Sequence, residues 1–78
     1  FDCAKVSTGA ERLICNNQQL SSADVKLAQA YQAKRERVAD KEQLKSEQIA
    51  WRRTVRDACS DVNCMINAYQ QRIAELSR

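Results

Sequence analysis

The four cysteines constrain this chain more than any other feature, because they lie in two close pairs near its two ends. Cys3 and Cys15 are separated by eleven residues in the opening FDCAKVSTGAERLIC, and Cys59 and Cys64 by four residues in ACSDVNCM. A core built from only 78 residues leaves little margin of stability, and folds of this size commonly need cross-links or a metal ion. The cysteines are therefore the first candidates for structural staples.

Structural thiols, metal ligands and disulfides are the three roles open to these cysteines. Zinc sites use CxxC-type spacing or histidines, and the chain contains neither. The missing CxxC also disfavours a redox-active pair. An even number of cysteines in a short chain is typical of a disulfide framework, which persists in oxidising compartments. We therefore expect disulfides, no metal ion, and a periplasmic or secreted location.

The pairing of the cysteines is not determined by the sequence alone, which allows three arrangements. Loop geometry favours Cys3 with Cys15 and Cys59 with Cys64, because each pair lies beside an expected helix end. Each bridge would then fasten a terminus or a turn rather than cross the core. By the chain-entropy relation, each short loop contributes on the order of 2 to 3 kcal/mol.

The composition predicts an all-α fold. The chain has one glycine and no proline, and it is rich in residues that lose little on entering a helix, such as Ala, Gln, Glu and Leu. No apolar run approaches the roughly 18 residues of a membrane span. A start at Phe1 without methionine suits a mature chain whose signal peptide has been removed. We expect one domain over residues 1–78, a small disulfide-stapled bundle of about four helices.

Two capping patterns predict where the first two helices begin. In each pattern a hydroxyl side chain is followed three residues later by a carboxylate. The patterns are Thr8 with Glu11, and Ser21 with Asp24. They predict a short helix over 9–16 and a longer one from residue 21 or 22 to about residue 40. The polar run of residues 34–37 predicts that the second helix projects past the core at its far end.

Apolar stripes predict two further helices, over 41–59 and from Asp61 onward. The stripe of the third helix consists of Leu44, Gln48, Trp51, Val55 and Ala58. The stripe of the fourth consists of Met65, Ile66, Tyr69, Ile73 and Leu76. A bridge between Cys59 and Cys64 would fold these helices into an antiparallel hairpin. We interpret Trp51 as a core residue rather than a binding anchor, because it lies in the middle of its stripe.

Enzymatic chemistry is disfavoured by the residues present. The chain has no histidine, which excludes the usual nucleophilic triads, and a domain this small has little room for a catalytic cleft. Asp57 and Asp61 are carboxylates close together in sequence, and they most simply supply a solvated charge and a helix cap. We therefore expect a non-enzymatic protein without a cofactor.

The net charge of +3 leaves two interpretations of the basic residues. Arg52 and Arg53, together with neighbouring cations, could form a patch for an anionic partner such as lipid headgroups, nucleic acid or an envelope polysaccharide. The alternative is a solvated face, with these arginines favoured near a helix C-terminus by the macrodipole. We favour the solvated face and expect no nucleic-acid partner, but Arg52 and Arg53 remain candidate partner-binding residues.

Several short motifs, spread from Phe1 to Leu76, resemble the LprI-like family of exported bacterial proteins, which is named for a lysozyme inhibitor. The motif residues are the opening FDC, Thr8 with Glu11, Ile14 with Cys15, Leu20 with Asp24, Leu27 with Tyr31, Gln48 with Trp51, Arg56 with Cys59, and Arg72 with Ile73 and Leu76. Ala23 and Arg52 depart from the family pattern, which commonly has leucine at both positions. The departures weaken a packed face slightly and remove no site residue.

The resemblance implies an exported helical domain with intradomain disulfides and a protein partner. For the namesake, the implied activity is inhibition of lysozyme by binding. Animal lysozymes are strongly basic, so a basic inhibitor gains nothing from overall electrostatic steering and must use local acidic residues. The other hypothesis is a structural or adaptor module that binds an envelope protein or an anionic surface without inhibiting anything.

Asp24 is the family-pattern carboxylate, and it lies one position off the apolar stripe of the second helix. Arg56 and Arg72 are family-pattern cations whose long stems can lie along apolar surface. The sequence therefore predicts a partly buried structural ion pair between Asp24 and one of these arginines, which would fix how the second helix docks on the hairpin.

Overall fold

The computed structural model describes residues 3–78, which form four α-helices and contain no β-strand. The helices are α1 (Gly9–Cys15), α2 (Gln18–Arg37), α3 (Lys41–Trp51) and α4 (Val62–Leu76). A 3-10 turn, Cys3–Lys5, precedes α1, and a π-helical turn, Arg52–Arg56, continues α3. The predicted all-α, four-helix architecture is confirmed.

The predicted disulfide pairing is also confirmed. Cys3 is bonded to Cys15, so the 3-10 turn is held against the end of α1. Cys59 is bonded to Cys64, and this bridge closes the connection between the π turn and α4. Asp61 caps α4 inside this loop, because its Oδ1 accepts a hydrogen bond of 2.8 Å from the Cys64 backbone N–H. Both bridges lie near the same end of the bundle, because Cys59 and Ser60 border α1 beside Ala10 and Leu13.

The helix caps agree with the sequence for α1 and differ for α2. Thr8 Oγ1 accepts a hydrogen bond of 3.1 Å from the Glu11 N–H, as the first capping pattern predicts. The second capping pattern is wrong, because α2 begins earlier, at Gln18, with Asn17 as its cap. Asn17 Oδ1 accepts a bond of 3.0 Å from the Leu20 N–H. Ser21 lies inside the helix and donates to the Ile14 carbonyl at 2.6 Å, which ties α2 to α1.

Replacement of Asn17 by alanine is expected to lower the free energy of unfolding by about 1 kcal/mol, the typical cost of losing a cap. The matched control is Ser22→Ala, at an exposed position in the first turns of the same helix. Urea denaturation followed by circular dichroism measures both. Equal midpoints for the two variants would mean that Asn17 is not the cap that stabilises α2.

The basic end of α2 is exposed but does not project past the bundle, contrary to the sequence prediction, because two of its cations contact the end of α4. Arg37 Nη2 donates to the Leu76 carbonyl at 3.1 Å, and Lys34 Nζ donates to the Glu75 carbonyl at 3.3 Å. The last carbonyls of a helix lack partners within it and carry partial negative charge, so cations of α2 satisfy the end of α4. The predicted extension of α2 to residue 40 is wrong as well, because Asp40 instead caps α3.

The core lies mainly between α2 and α4, with α1 packed across the beginning of α2. Its buried apolar residues are Ala10, Ile14, Leu20, Leu27, Leu44, Cys59, Met65, Ala68, Tyr69 and Leu76. Side chains of α3 reach α4 in antiparallel order, since Gln48 contacts Arg72 and Trp51 contacts Tyr69. This is the direction that the hairpin prediction requires, although the principal neighbour of α4 is α2.

The π turn changes which side chains of this segment are buried. The predicted stripe placed Val55 inward, but Val55 is 39% exposed whereas Arg56 is only 5% exposed. A π turn takes more residues than an α turn, so it shifts the inward position along the chain by about one residue. The prediction assumed uninterrupted α-helical periodicity through residue 59, and the π turn is the reason that it failed here.

Candidate functional site

A cleft of about 270 Å³ opens at the side of the bundle where α2, α3 and the π turn meet Glu11 of α1. Its lining residues are Glu11, Asp24, Leu27, Ala28, Tyr31, Gln48, Ile49, Trp51, Arg52 and Arg56. Seven of these belong to the motifs through which the chain resembles its family, namely Glu11, Asp24, Leu27, Tyr31, Gln48, Trp51 and Arg56. The motif residues are therefore brought together around one cleft.

Asp24 has a different partner from the one predicted. Its Oδ1 accepts a hydrogen bond of 2.8 Å from the hydroxyl of Tyr69, which is fully buried in α4. The ion pairs formed within residues 3–78 do not include Asp24, so the predicted pair with Arg56 or Arg72 is not formed. Asp24 still links α2 to α4, but it does so through a neutral donor rather than a charged one.

Tyr69 is a neutral donor at physiological pH. Burial, and next the hydrogen bond to Asp24, raise the pKa of its hydroxyl well above the ordinary value of 10.0. The ring also packs edge-on against Trp51, with ring centroids 5.4 Å apart and an interplanar angle of 82°. Tyr69 thus holds both the carboxylate and the indole that line the cleft.

Arg56 connects α1 to the π turn. Its Nε donates to Asp57 Oδ1 at 2.9 Å, and its Nη2 lies 3.8 Å from Glu11 Oε2. Hydrogen bonding from the Ser7 N–H, reinforced by the Arg56 charge, holds the pKa of the Glu11 carboxyl below its ordinary value. Glu11 is therefore ionised at neutral pH, and together with Arg56 it forms one wall of the cleft.

Arg72, the other predicted ion-pair residue, does not line the cleft and positions a residue that does. Its Nε donates to Gln48 Oε1 at 2.8 Å, and its Nη1 lies 3.4 Å from Glu75 Oε1. The first bond fixes the orientation of the Gln48 amide, and Gln48 lines the cleft from α3.

The two candidate partner-binding arginines differ in their position relative to the cleft. Arg52 and Arg53 are both exposed, but only Arg52 lines the cleft. The ring of Trp51 is partly buried and packs on the core, as predicted, while part of the residue also faces the cleft. Trp51 is therefore a partly buried residue of the core that also borders the cleft.

Glu11 and Gln48 are cleft residues that the sequence analysis did not identify as site residues. Both belong to family motifs, so the motif positions were the signal that could have located them. Within residues 3–78, no group of three or more histidine, cysteine, aspartate or glutamate side chains is arranged to hold a metal ion. None of the helices in this described part has the length and apolar character needed to span a membrane.

The fold and the cleft define a class of small all-α domains that are cross-linked by disulfides and gather their polar and aromatic motif residues at one side. The chain belongs to the LprI lysozyme inhibitor family, whose model matches residues 3–76. It is 36% identical over 84 residues to Lipoprotein LprI of Mycobacterium bovis and of Mycobacterium tuberculosis. These alignments cover 99% of this chain and 40% of each relative, so the chain spans well under half of their length. No solved structure matches the chain significantly.

Proposed function

We propose that this domain is an exported, non-enzymatic protein that inhibits lysozyme by binding to it. The observation that carries this proposal is the family match over residues 3–76, because the family is described as a lysozyme inhibitor. The name Lipoprotein LprI, borne by the curated relatives, supports a location outside the cytoplasm. Two disulfides in so short a chain support the same location, since they persist in oxidising compartments.

The geometry of the cleft supports binding in a fixed shape. Asp24 is held by Tyr69 and Gln48 by Arg72, and Arg56 is held by Glu11 and Asp57. A surface whose polar groups are already oriented loses less conformational entropy on association than a flexible one. The two local cross-links add to this pre-organisation.

A second candidate function is a structural or adaptor module that binds an envelope protein or an anionic surface without inhibition. The observation that favours it is the exposure of Arg52 and Arg53 on the π turn. Exposed cations near a surface attract polyanions, and such attraction weakens as salt increases.

Addition of the oxidised domain to a basic animal lysozyme is expected to lower the rate of cell-wall hydrolysis in a saturable, dose-dependent way. The physical reason is that a bound domain covers the enzyme surface by which the polymer enters. A turbidity assay measures the rate, and isothermal titration calorimetry measures binding in parallel.

The matched control is the same chain after reduction and alkylation, which has the same residues without the cross-links. Binding without a change in hydrolysis would favour the adaptor module. Absence of both binding and inhibition at an excess of oxidised domain would contradict the inhibitor proposal for the lysozyme tested.

A further inference from the structure

We infer that the cleft at Asp24 and the adjoining outer face of α2 receive a cationic side chain, a lysine or an arginine, from a basic protein partner. This inference rests on the proposed function, since it names the surface by which a net positive domain would bind a basic enzyme. It also goes beyond that function, because it names a contact surface and the residue that carries the contact.

The first argument is the local charge. The whole chain carries +3, but the surface formed by the cleft and the outer face of α2 carries three carboxylates, Glu11, Asp24 and Glu36, against two arginines, Arg52 and Arg56. Three anions and two cations leave this surface with a charge of −1, and one of the two cations, Arg56, is buried beside Glu11. A cationic side chain is thus attracted more to this surface than to the chain as a whole.

The second argument is that Asp24 has no direct ion pair within residues 3–78. Its recorded hydrogen bond comes from the neutral hydroxyl of Tyr69, and it forms no ion pair with the other described residues. The carboxylate lies at the boundary of the cleft and is only partly buried, so its second oxygen can accept a bond from outside. A partner lysine or arginine supplies the charge-assisted donor that the fold omits.

The third argument is the aromatic lining beside this carboxylate. Tyr31 and Trp51 both line the cleft and are partly exposed, and Trp51 is held in place by its edge contact with Tyr69. A cation near the face of such a ring is attracted to its negative side. A cleft of about 270 Å³ has room for the end of one long side chain rather than for a peptide segment.

The outer face of α2 extends the same surface. Asp24 and Ala28 also border a shallow, mainly apolar depression. Its other residues are Val25, Gln29, Gln32, Ala33 and Glu36. Val25 is 57% exposed, which makes it the most exposed large apolar side chain recorded for residues 3–78. These seven residues include two carboxylates and no lysine or arginine. They therefore offer a basic protein both apolar contact area and negative charge that complements its own charge.

Two substitutions with opposite expected effects test the inference. Asp24→Asn keeps the shape and the acceptor for Tyr69 but removes the charge, and it should weaken binding of a basic animal lysozyme at least about tenfold. Arg52→Gln removes the exposed cation that lines the cleft, and it should tighten binding by about two- to fivefold. Calorimetric titrations at several salt concentrations should also give a flatter salt dependence for Asp24→Asn.

Each substitution has a control with the same change of charge elsewhere. Glu42→Gln alters an exposed carboxylate of α3 outside the cleft, and Arg53→Gln alters the exposed neighbour of Arg52. Both are expected to stay within about twofold of the unmodified domain. Circular dichroism melts verify that every variant is folded, and Arg52→Gln tests the cleft even if Asp24→Asn folds poorly.

The outcomes separate this inference from the proposed function. If the unmodified domain does not bind lysozyme, the proposed function fails. If it binds but Asp24→Asn and Glu42→Gln have equal affinities, the function stands and the cleft is the wrong surface. If Arg52→Gln and Arg53→Gln both weaken binding, the contact is made by the basic π turn, which overturns the cationic-side-chain assignment.

Discussion

A variant in which all four cysteines are replaced by alanine is expected to be largely unfolded at 37 °C. The bridges link residues 12 and 5 positions apart, and the chain-entropy relation gives about 3 and about 2 kcal/mol for loops of these lengths. Their sum of about 5 kcal/mol equals the lower end of the net stability of small domains. Without the bridges, the ten buried apolar residues found within residues 3–78 leave little or no margin of stability.

Thermal melts of the oxidised protein, the four-alanine variant and the two single-bridge variants measure this effect. The variant lacking the Cys3–Cys15 bridge should lose more stability than the variant lacking Cys59–Cys64, because it opens the longer loop. Oxidised protein melted with and without a reducing agent provides a comparison free of substitutions. Melting midpoints that do not change on full reduction would show that the helices are stable without their cross-links.

Local signals in the sequence were sufficient to predict most of the fold. Thr8 and Asp61 cap the helices that they were expected to cap, because a cap depends on residues three positions apart. The cysteine pairing was also predictable, because each bridge joins segments that lie close together in the sequence. The start of α2 was missed because Asn17 and Ser21 are both good caps, and the tertiary bond from Ser21 to the Ile14 carbonyl decides between them.

The π turn and the partner of Asp24 were not predictable from local patterns. Regular α-helical spacing places Val55 on the same apolar stripe as Trp51. The π turn, which depends on the packing of the whole bundle, buries Arg56 in the place expected for Val55. The Asp24 bond to Tyr69 spans 45 positions in the chain. The prediction expected a charged partner for Asp24, whereas the structure gives this partly buried carboxylate a hydrogen bond from the hydroxyl of the buried Tyr69.

Substitution of Tyr69 is expected to have the largest effect of any single side chain outside the disulfides. The residue is fully buried, packs against Trp51 and donates to Asp24. Tyr69→Ala therefore removes a core ring, the ring contact of Trp51 and the hydrogen bond of Asp24. Large aromatic-to-alanine changes in a core cost about 3 to 5 kcal/mol. Chemical denaturation should therefore show a variant that is unfolded or close to it.

Tyr69→Phe separates the hydrogen bond from the packing. The ring and its contact with Trp51 remain, and only the donor to Asp24 is lost, for an expected cost of about 1 kcal/mol, because water can reach the partly exposed carboxylate. A double-mutant cycle with Asp24→Ala measures the coupling between the two residues. The combined variant should cost less than the sum of the single changes by roughly 0.5 to 1 kcal/mol. Strict additivity would mean that the hydrogen bond between Tyr69 and Asp24 does not contribute to the docking of α2 on α4.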